Sequence, residues 1–166
     1  MAPNPTIKVG DQIPEGTFKY VPWTPELESN TVCGIPVTLD ISKDWKGKKV
    51  VLFSVPGAFT PTCHVNHLPP YLQKYEEFKA KGVDIIAVVA ANDPFVMSGW
   101  GRFQGVKDKI LALSDSNAEW SSKLGLSIEA LGGIRTARYA IILDDLVVEP
   151  GVEVTVSGAE AVLAKL

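Results

Sequence analysis

Cys63 closes a turn-rich stretch, Pro56-Gly57-Ala58-Phe59-Thr60-Pro61-Thr62-Cys63, immediately before a run with helical spacing. Thr60 reads as a helix N-cap, with Pro61, Thr62 and Cys63 as the first three helical residues, since Thr is a favoured cap and Pro costs nothing at the first position. A thiol in that turn faces free backbone N–H groups and the positive end of the helix dipole, and both favour the thiolate. The dipole contributes only about 0.3–1 kcal/mol, less than one pKa unit, so a cation is expected nearby. The chain has three arginines, Arg102, Arg135 and Arg138. Two of them fall in "GGIRTARYA", at the start of a strand-like run, where a guanidinium could stabilise a thiolate and hold an oxygen substrate through its fork of donors. Spacing alone does not choose between Arg135 and Arg138. Cys63 could instead be a small buried hydrophobe, but the C-terminal end of a strand is where open α/β sheets bind ligands.

The remaining chemistry-bearing residues are few. "CHVNH" holds the only two histidines, His64 and His67. Together with Cys63 they match no zinc spacing, so they read as solvated residues of the helix start and no metal is expected. Cys33, in "TVCGIPV", is either a packed cysteine or a second redox residue. Met97 and Trp100 read as core or interface positions.

These residues must be carried by regular elements. "KVVLFSV" (49–55) is a continuous apolar run, as in a strand covered on both faces. Val65, Leu68, Tyr71, Leu72, Tyr75 and Phe78 then recur at steps of three and four, which predicts a helix that Pro69-Pro70 should bend. "VDIIAVVA" (83–90) is a second buried strand, so the order is βαβ with parallel strands and a right-handed crossover. A helix over 93–104 capped by Asn92 or Asp93, a strand over 110–115 and a helix over 118–124 follow. A hairpin of 137–143 with 146–152 turns at Asp144-Asp145, and a helix over 158–166 closes the chain. Before residue 49 the pattern gives short strands at 17–21 and 35–39, and a short helix over 42–47 capped by Ser42 and stopped by Gly47. A βαβ half followed by a ββα half resembles the thioredoxin-like layout. The expected class is α/β, one domain over 1–166, with a central mixed sheet flanked by helices and an N-terminal extension.

Composition sets the limits. Hydrophobic residues are 46% and charged residues 21%, an ordinary globular balance. A net charge of -3 offers no basic surplus for nucleic acid or an anionic membrane. The longest clean apolar run, Ile85 to Ala91, is too short for a membrane span. "MAPNPTIKVGDQIPEG" has no apolar h-region, so an intracellular protein is expected, and its two cysteines point to chemistry or incidental burial more than to a disulfide framework. Ala164-Lys165-Leu166 fits the small-basic-Leu form of a peroxisomal address, with the cytoplasm as the alternative.

Pro56-x-x-x-Thr60-x-x-Cys63 resembles the active-site signature of the peroxiredoxins. "VPGAFTPTC", "NDPFVMSGWG" (92–101) and "RTARYAIILDD" (135–145), in that order, resemble their atypical type II branch. The resemblance implies a thiol peroxidase for hydrogen peroxide and alkyl hydroperoxides, with Cys63 as peroxidatic nucleophile. It implies that Thr60 hydrogen-bonds the peroxide, that Pro56 shields the pocket, and that Arg138 contacts thiolate and substrate. Cys63 would pass through a sulfenic acid that a thiol reduces. No cofactor is implied. The reductant would be glutathione with glutaredoxin, or thioredoxin, and Cys33 is a possible resolving cysteine within the chain or across a homodimer. The dimer contact would involve Phe59 and the 93–104 helix. Some type II relatives place a second cysteine near the C-terminus, where this chain has "EVTVSG" (153–158). A thiol–disulfide oxidoreductase is disfavoured because "TPTC" has no C-x-x-C partner. A redox sensor or holdase, oxidised without turnover, is the rival from another class.

Overall fold

A strand with no polar face must be covered on both sides, and that requirement organises this molecule. The structure is a computed structural model that describes residues 3–149 and 157–166. In chain order the first elements are β1 (Thr17–Tyr20), β2 (Val37–Asp40), α1 (Ile41–Asp44) and β3 (Lys49–Ser54). Helical backbone then runs from 61 to 73, with a π-helical turn at Cys63–His67 followed by α2 (Leu68–Gln73). Next come α3 (Tyr75–Ala80), β4 (Ile85–Ala90), α4 (Pro94–Gln104), β5 (Leu111–Ser114) and α5 (Glu119–Lys123). The last are β6 (Ser127–Ala130), β7 (Gly133–Thr136), β8 (Tyr139–Asp144), β9 (Val147–Val148) and α6 (Ala159–Leu163).

The main sheet has the order β2-β1-β5-β4-β3-β8-β9. β3, β4 and β5 are mutually parallel, and β8 runs antiparallel to β3 with Ser54 opposite Tyr139. This is the expected thioredoxin-like mixed sheet, with the N-terminal hairpin β1–β2 added at one edge. Period-two alternation splits each central strand between two cores. Val51, Phe53, Ala140 and Ile142 pack with Leu68, Tyr71, Trp100 and Val162 on one face. Val50, Leu52, Tyr139 and Ile141 pack with Phe18, Trp45, Trp120 and Leu124 on the other. Met97 and Trp100 are fully buried core residues.

Three features depart from the sequence expectation or add to it. The short helix begins after Asp40, whose carboxylate accepts from the Ser42 N–H, so Asp40 and not Ser42 is the cap. The bend expected from Pro69-Pro70 takes the form of a wide turn before the pair. There Leu68 N–H bonds the carbonyl of Cys63, five residues back, and a second break follows at Lys74. Pro69 has no N–H with which to continue that pattern onto His64, and the His64 carbonyl instead accepts from Gln104 Nε2 at 2.9 Å. The third is the small antiparallel pair β6–β7, which no sequence signal announced. Leu131 (φ 53°) and Gly132 (φ 78°) occupy its two-residue turn, and a leucine is an unusual resident of left-handed backbone. The 146–152 half of the expected hairpin is seen as β9, and residues 150–152 lie outside those described.

The helix α4 is bounded as its sequence suggests. Asp93 Oδ1 accepts from Phe95 N–H at 2.9 Å and Val96 N–H at 3.0 Å, and Gly105 ends the helix in left-handed backbone. α4 delivers Gln104 to the Cys63 helix and Arg102 to the segment before Cys33. Replacing Asp93 by Ala should cost about 1 kcal/mol of folding stability. Urea denaturation should show a lower midpoint with an unchanged slope.

Candidate active site

The site forms where β3 ends and the 61–73 helix begins. Val55, Pro56 and Gly57 leave the sheet, and the loop is tied down from three directions. Thr136 Oγ1 donates to the Val55 carbonyl at 2.8 Å, and Asn92 Oδ1 accepts from Ala58 N–H at 2.9 Å. Thr60 Oγ1 donates to the Gly57 carbonyl at 2.7 Å. A Cβ on Gly57 would lie 3.0 Å from Thr60 Cγ2 and 3.4 Å from Leu131, so the turn is closed at a contact that suits glycine. Phe59 sits in left-handed backbone (φ 59°), a strained place for an aromatic residue, and it is half exposed.

Thr60 precedes the helix as expected, but it does not cap it. Its hydroxyl proton is given back to Gly57, and the helix start receives no side-chain cap from it. With that proton committed, the Thr60 oxygen can only accept from anything else that approaches. Cys63 lies in the first helical turn, 1% exposed, and Pro56 is half-buried.

The cation that the dipole argument required is Arg138. It stands immediately before Tyr139, and Tyr139 pairs with Ser54 at the end of β3, so Arg138 projects beside the turn. Its Nη2 is 3.3 Å from Cys63 Sγ. Arg135 belongs to β7, opposite Ile128, and makes no such contact. A buried network holds the start of β8. Asp115 accepts from Trp120 N–H, Ser121 N–H and Ser121 Oγ, and Ser121 Oγ lies 2.8 Å from the Tyr139 hydroxyl. Burial pushes the Tyr139 phenol well above its ordinary value, so it stays a donor.

The two histidines are not solvated, which overturns that expectation. Their helix is amphipathic and both rings fall on covered sides. His64 Nδ1 accepts from Trp100 Nε1 at 3.1 Å, and its ring clusters with those of Phe59 and Phe103. His67 is 5% exposed, against Phe53 and Tyr71. Its Nδ1 lies 2.8 Å from Arg138 Nη1 and its Nε2 2.7 Å from the Ser157 carbonyl. Sequence reasoning missed His67, although its position four residues after Cys63 places both on one side of a helix. The described residues contain no cluster of three His, Cys, Asp or Glu side chains able to hold a metal ion.

Burial above all, with the neighbouring Arg138 charge, holds His67 down at about 4, against the hydrogen bond to Ser157 that raises it. An unfolded histidine takes up its proton near 6.5. Between those values unfolding binds a proton that the native ring refuses, so stability is complete above about 6.5 and falls as pH drops toward 4. The loss across the window is about 3 kcal/mol. Denaturation midpoints measured from pH 7 to 4 should fall more steeply in the wild type than in His67→Gln, and parallel slopes would refute the assignment.

Cys33 is exposed and free. Arg102 donates to the carbonyls of Val32 at 3.0 Å and Ser29 at 2.6 Å, whereas Gln104 holds the Cys63 helix. Those two residues are about 200° apart around α4, so the helix stands between the two cysteine segments.

The Redoxin family model matches residues 8–163. A protein of Lipomyces kononenkoae whose name includes the words peroxisomal peroxiredoxin is 45% identical, covering 94% of this chain and 99% of its own. Peroxiredoxin-2B of Arabidopsis thaliana is 40% identical, with 100% of both chains covered. The crystal structure of reduced Prx3 from Vibrio vulnificus, in complex with hydrogen peroxide, superposes with a TM-score of 0.83 at 42% identity, over 96% of this chain and 98% of that one.

Proposed function

The chain belongs to the redoxin family as a type II peroxiredoxin, a thiol peroxidase, and on that premise we propose that Cys63 is its peroxidatic nucleophile, with Arg138, Thr60 and Pro56 completing the site. The observation that carries this reading is the Arg138 guanidinium 3.3 Å from the buried Cys63 sulfur. Two donors on one rigid fork, one on the sulfur, favour the thiolate in a place where water cannot.

The thiolate attacks the terminal oxygen of a hydroperoxide. A sulfur–oxygen bond forms as the O–O bond breaks, sulfur loses two electrons, and hydroxide or alkoxide leaves and takes up a proton. Thr60 Oγ1, its own proton held by Gly57, accepts from the peroxide O–H and sets the substrate in line. Arg138 stabilises charge as it moves from sulfur to the leaving oxygen. Pro56 limits water at the mouth. Hydrogen peroxide and small alkyl hydroperoxides fit a site this enclosed.

The resulting sulfenic acid condenses with a thiol to give a disulfide and water. Because α4 separates the Cys33 segment from the Cys63 helix, Cys33 resolves Cys63 only across a second chain or after a rearrangement, and glutathione with glutaredoxin, or thioredoxin, otherwise recycles the enzyme. A homodimer would cover the exposed aromatic patch of Phe59, Phe103 and Phe95 beside the site, which are 50%, 74% and 56% exposed. Cys63→Ser should abolish peroxide consumption with any reductant, whereas Cys33→Ser should keep turning over with glutaredoxin and glutathione. Arg138→Lys, which keeps charge but loses the fork, should slow peroxide reduction roughly tenfold or more, about 1.4 kcal/mol in the barrier. One oxidation followed by no turnover would instead indicate a sensor.

The peroxisome is the favoured compartment. It is supported by the name of the Lipomyces relative and by exposure of Ala164 and Lys165 beyond α6. Residues 157–166 appended to the C-terminus of a fluorescent reporter should give puncta that overlap a peroxisomal marker. Diffuse signal would favour the cytoplasm.

A further inference from the structure

Arg138 is held at two points, and only one of them takes part in the chemistry. Nη2 faces Cys63 Sγ and Nη1 faces His67 Nδ1. A guanidinium has donors and no acceptor, and a carbonyl has acceptors and no donor. His67 therefore presents a lone pair at Nδ1 to Arg138 and a proton at Nε2 to Ser157. Its partners allow one neutral tautomer and leave the imidazolium without an acceptor for an Nδ1 proton.

The other end of this chain of bonds is equally fixed. The Ser157 carbonyl receives the Tyr71 hydroxyl at 2.6 Å as well as His67. Burial raises the Tyr71 phenol far above neutrality, so it remains a donor. Tyr71 lies flat on Phe53, with ring centroids 3.8 Å apart and planes within 1°. Phe53 and Tyr71 also wall the His67 ring. The imidazole thus has a packed edge, a bonded far nitrogen and one free lone pair, and that lone pair is spent on the guanidinium.

We propose that His67 is the positioning residue for Arg138: as the Nε2–H tautomer, anchored to the Ser157 carbonyl, it fixes the guanidinium against the Cys63 sulfur. The inference rests on the reading of Cys63 as nucleophile and Arg138 as its cation. Its value lies in what changes during turnover. Oxidation converts a thiolate into a neutral sulfenic acid, so Arg138 loses the charge that attracts it. The bond to His67 carries no net charge on the imidazole and survives that step, so the fork is still in place when the thiolate returns. The tautomer also matters before oxidation. A second proton on His67 would set two cations against each other and push the guanidinium away from the sulfur.

The alternative is a core histidine that only packs, and isosteres separate the two. In a Cys33→Ser background, His67→Leu keeps volume without the bonds, whereas His67→Gln can offer an oxygen to Arg138 and an N–H to Ser157. His67→Leu should slow peroxide reduction roughly tenfold or more and raise the Cys63 thiolate midpoint followed by absorbance. His67→Gln should stay within about threefold of wild type. In an Arg138→Ala background, His67→Leu should add little, because its effect passes through Arg138. An equal loss in both backgrounds, or a Gln variant as slow as the Leu variant, overturns the proposal. If His67→Leu does not fold, nitrogen NMR of the wild-type ring decides: a neutral ring protonated at Nε2 at pH 6 supports the proposal, and an Nδ1–H ring or an imidazolium refutes it. Cys63→Ser serves as the control. Turnover in that variant would defeat the reading of the whole site, whereas a dead control beside an unaffected His67→Leu would defeat this inference alone.

Discussion

A sulfur atom buried among apolar side chains resists ionisation, because burial disfavours its charged form. Cys63 is 1% exposed, yet the nucleophile proposed for it is a thiolate. In the proposed mechanism the contact between Arg138 and Cys63 answers that conflict, and much of the fold reads as the means of holding it. The two residues are 75 apart in sequence, so no local element brings them together. What does is the antiparallel pairing of β8 on β3, which sets Ser54 opposite Tyr139 and leaves their neighbours, the reactive loop and Arg138, at the same sheet end. A register slip of one residue would turn Arg138 to the other face and empty the site.

The supports divide by what they fix. Asp115, Ser121 and Tyr139 hold the backbone from which Arg138 springs. Asn92, Thr136 and Gly57 hold the loop that ends in Cys63. His67 and Ser157 hold the guanidinium itself. The bonds within these supports join buried or half-buried polar groups, where an unmade partner would cost roughly 1–3 kcal/mol. That penalty makes each group's position well defined, and geometric definition is what proximity catalysis requires.

Much of this was legible in the sequence because some signals are local. The continuous apolar run "KVVLFSV", a cap at Asn92 or Asp93 and the Thr-Pro-Thr-Cys turn each report on a few neighbouring residues, and each led to the right element. The fold class followed from the order of such elements, and the family from the resemblance of three longer motifs. What could not be read depends on long-range pairing. The choice of Arg138 over Arg135 is made by where β7 ends and β8 begins, and residue types near 135–138 do not encode that boundary. The roles of the histidines were misread for the same reason. His64 and His67 look polar and adjacent to a helix start, but Trp100 and Ser157 cover them from 36 and 90 residues away. Thr60 shows a finer limit: the residue type was right for a cap, yet a carbonyl three residues back competed for its hydroxyl and won.

The two cysteines show how far environment outweighs residue type. Cys33 and Cys63 are chemically identical, and the exposed one is the freer to meet a reagent. Peroxide is small and neutral, so access limits its reaction less than the charge on sulfur and the stabilisation of the departing oxygen. Cys63 has a bound cation, a helix start and an accepting hydroxyl beside it. The segment bearing Cys33 has its nearest arginine occupied, since both terminal nitrogens of Arg102 already donate to the carbonyls of Ser29 and Val32. A guanidinium committed to backbone secures a loop, whereas one with a nitrogen left for sulfur activates a thiol. The same residue type therefore stands differently in the two cysteine segments, and in the proposed mechanism this difference in donor commitment favours Cys63 as the thiol that meets the peroxide.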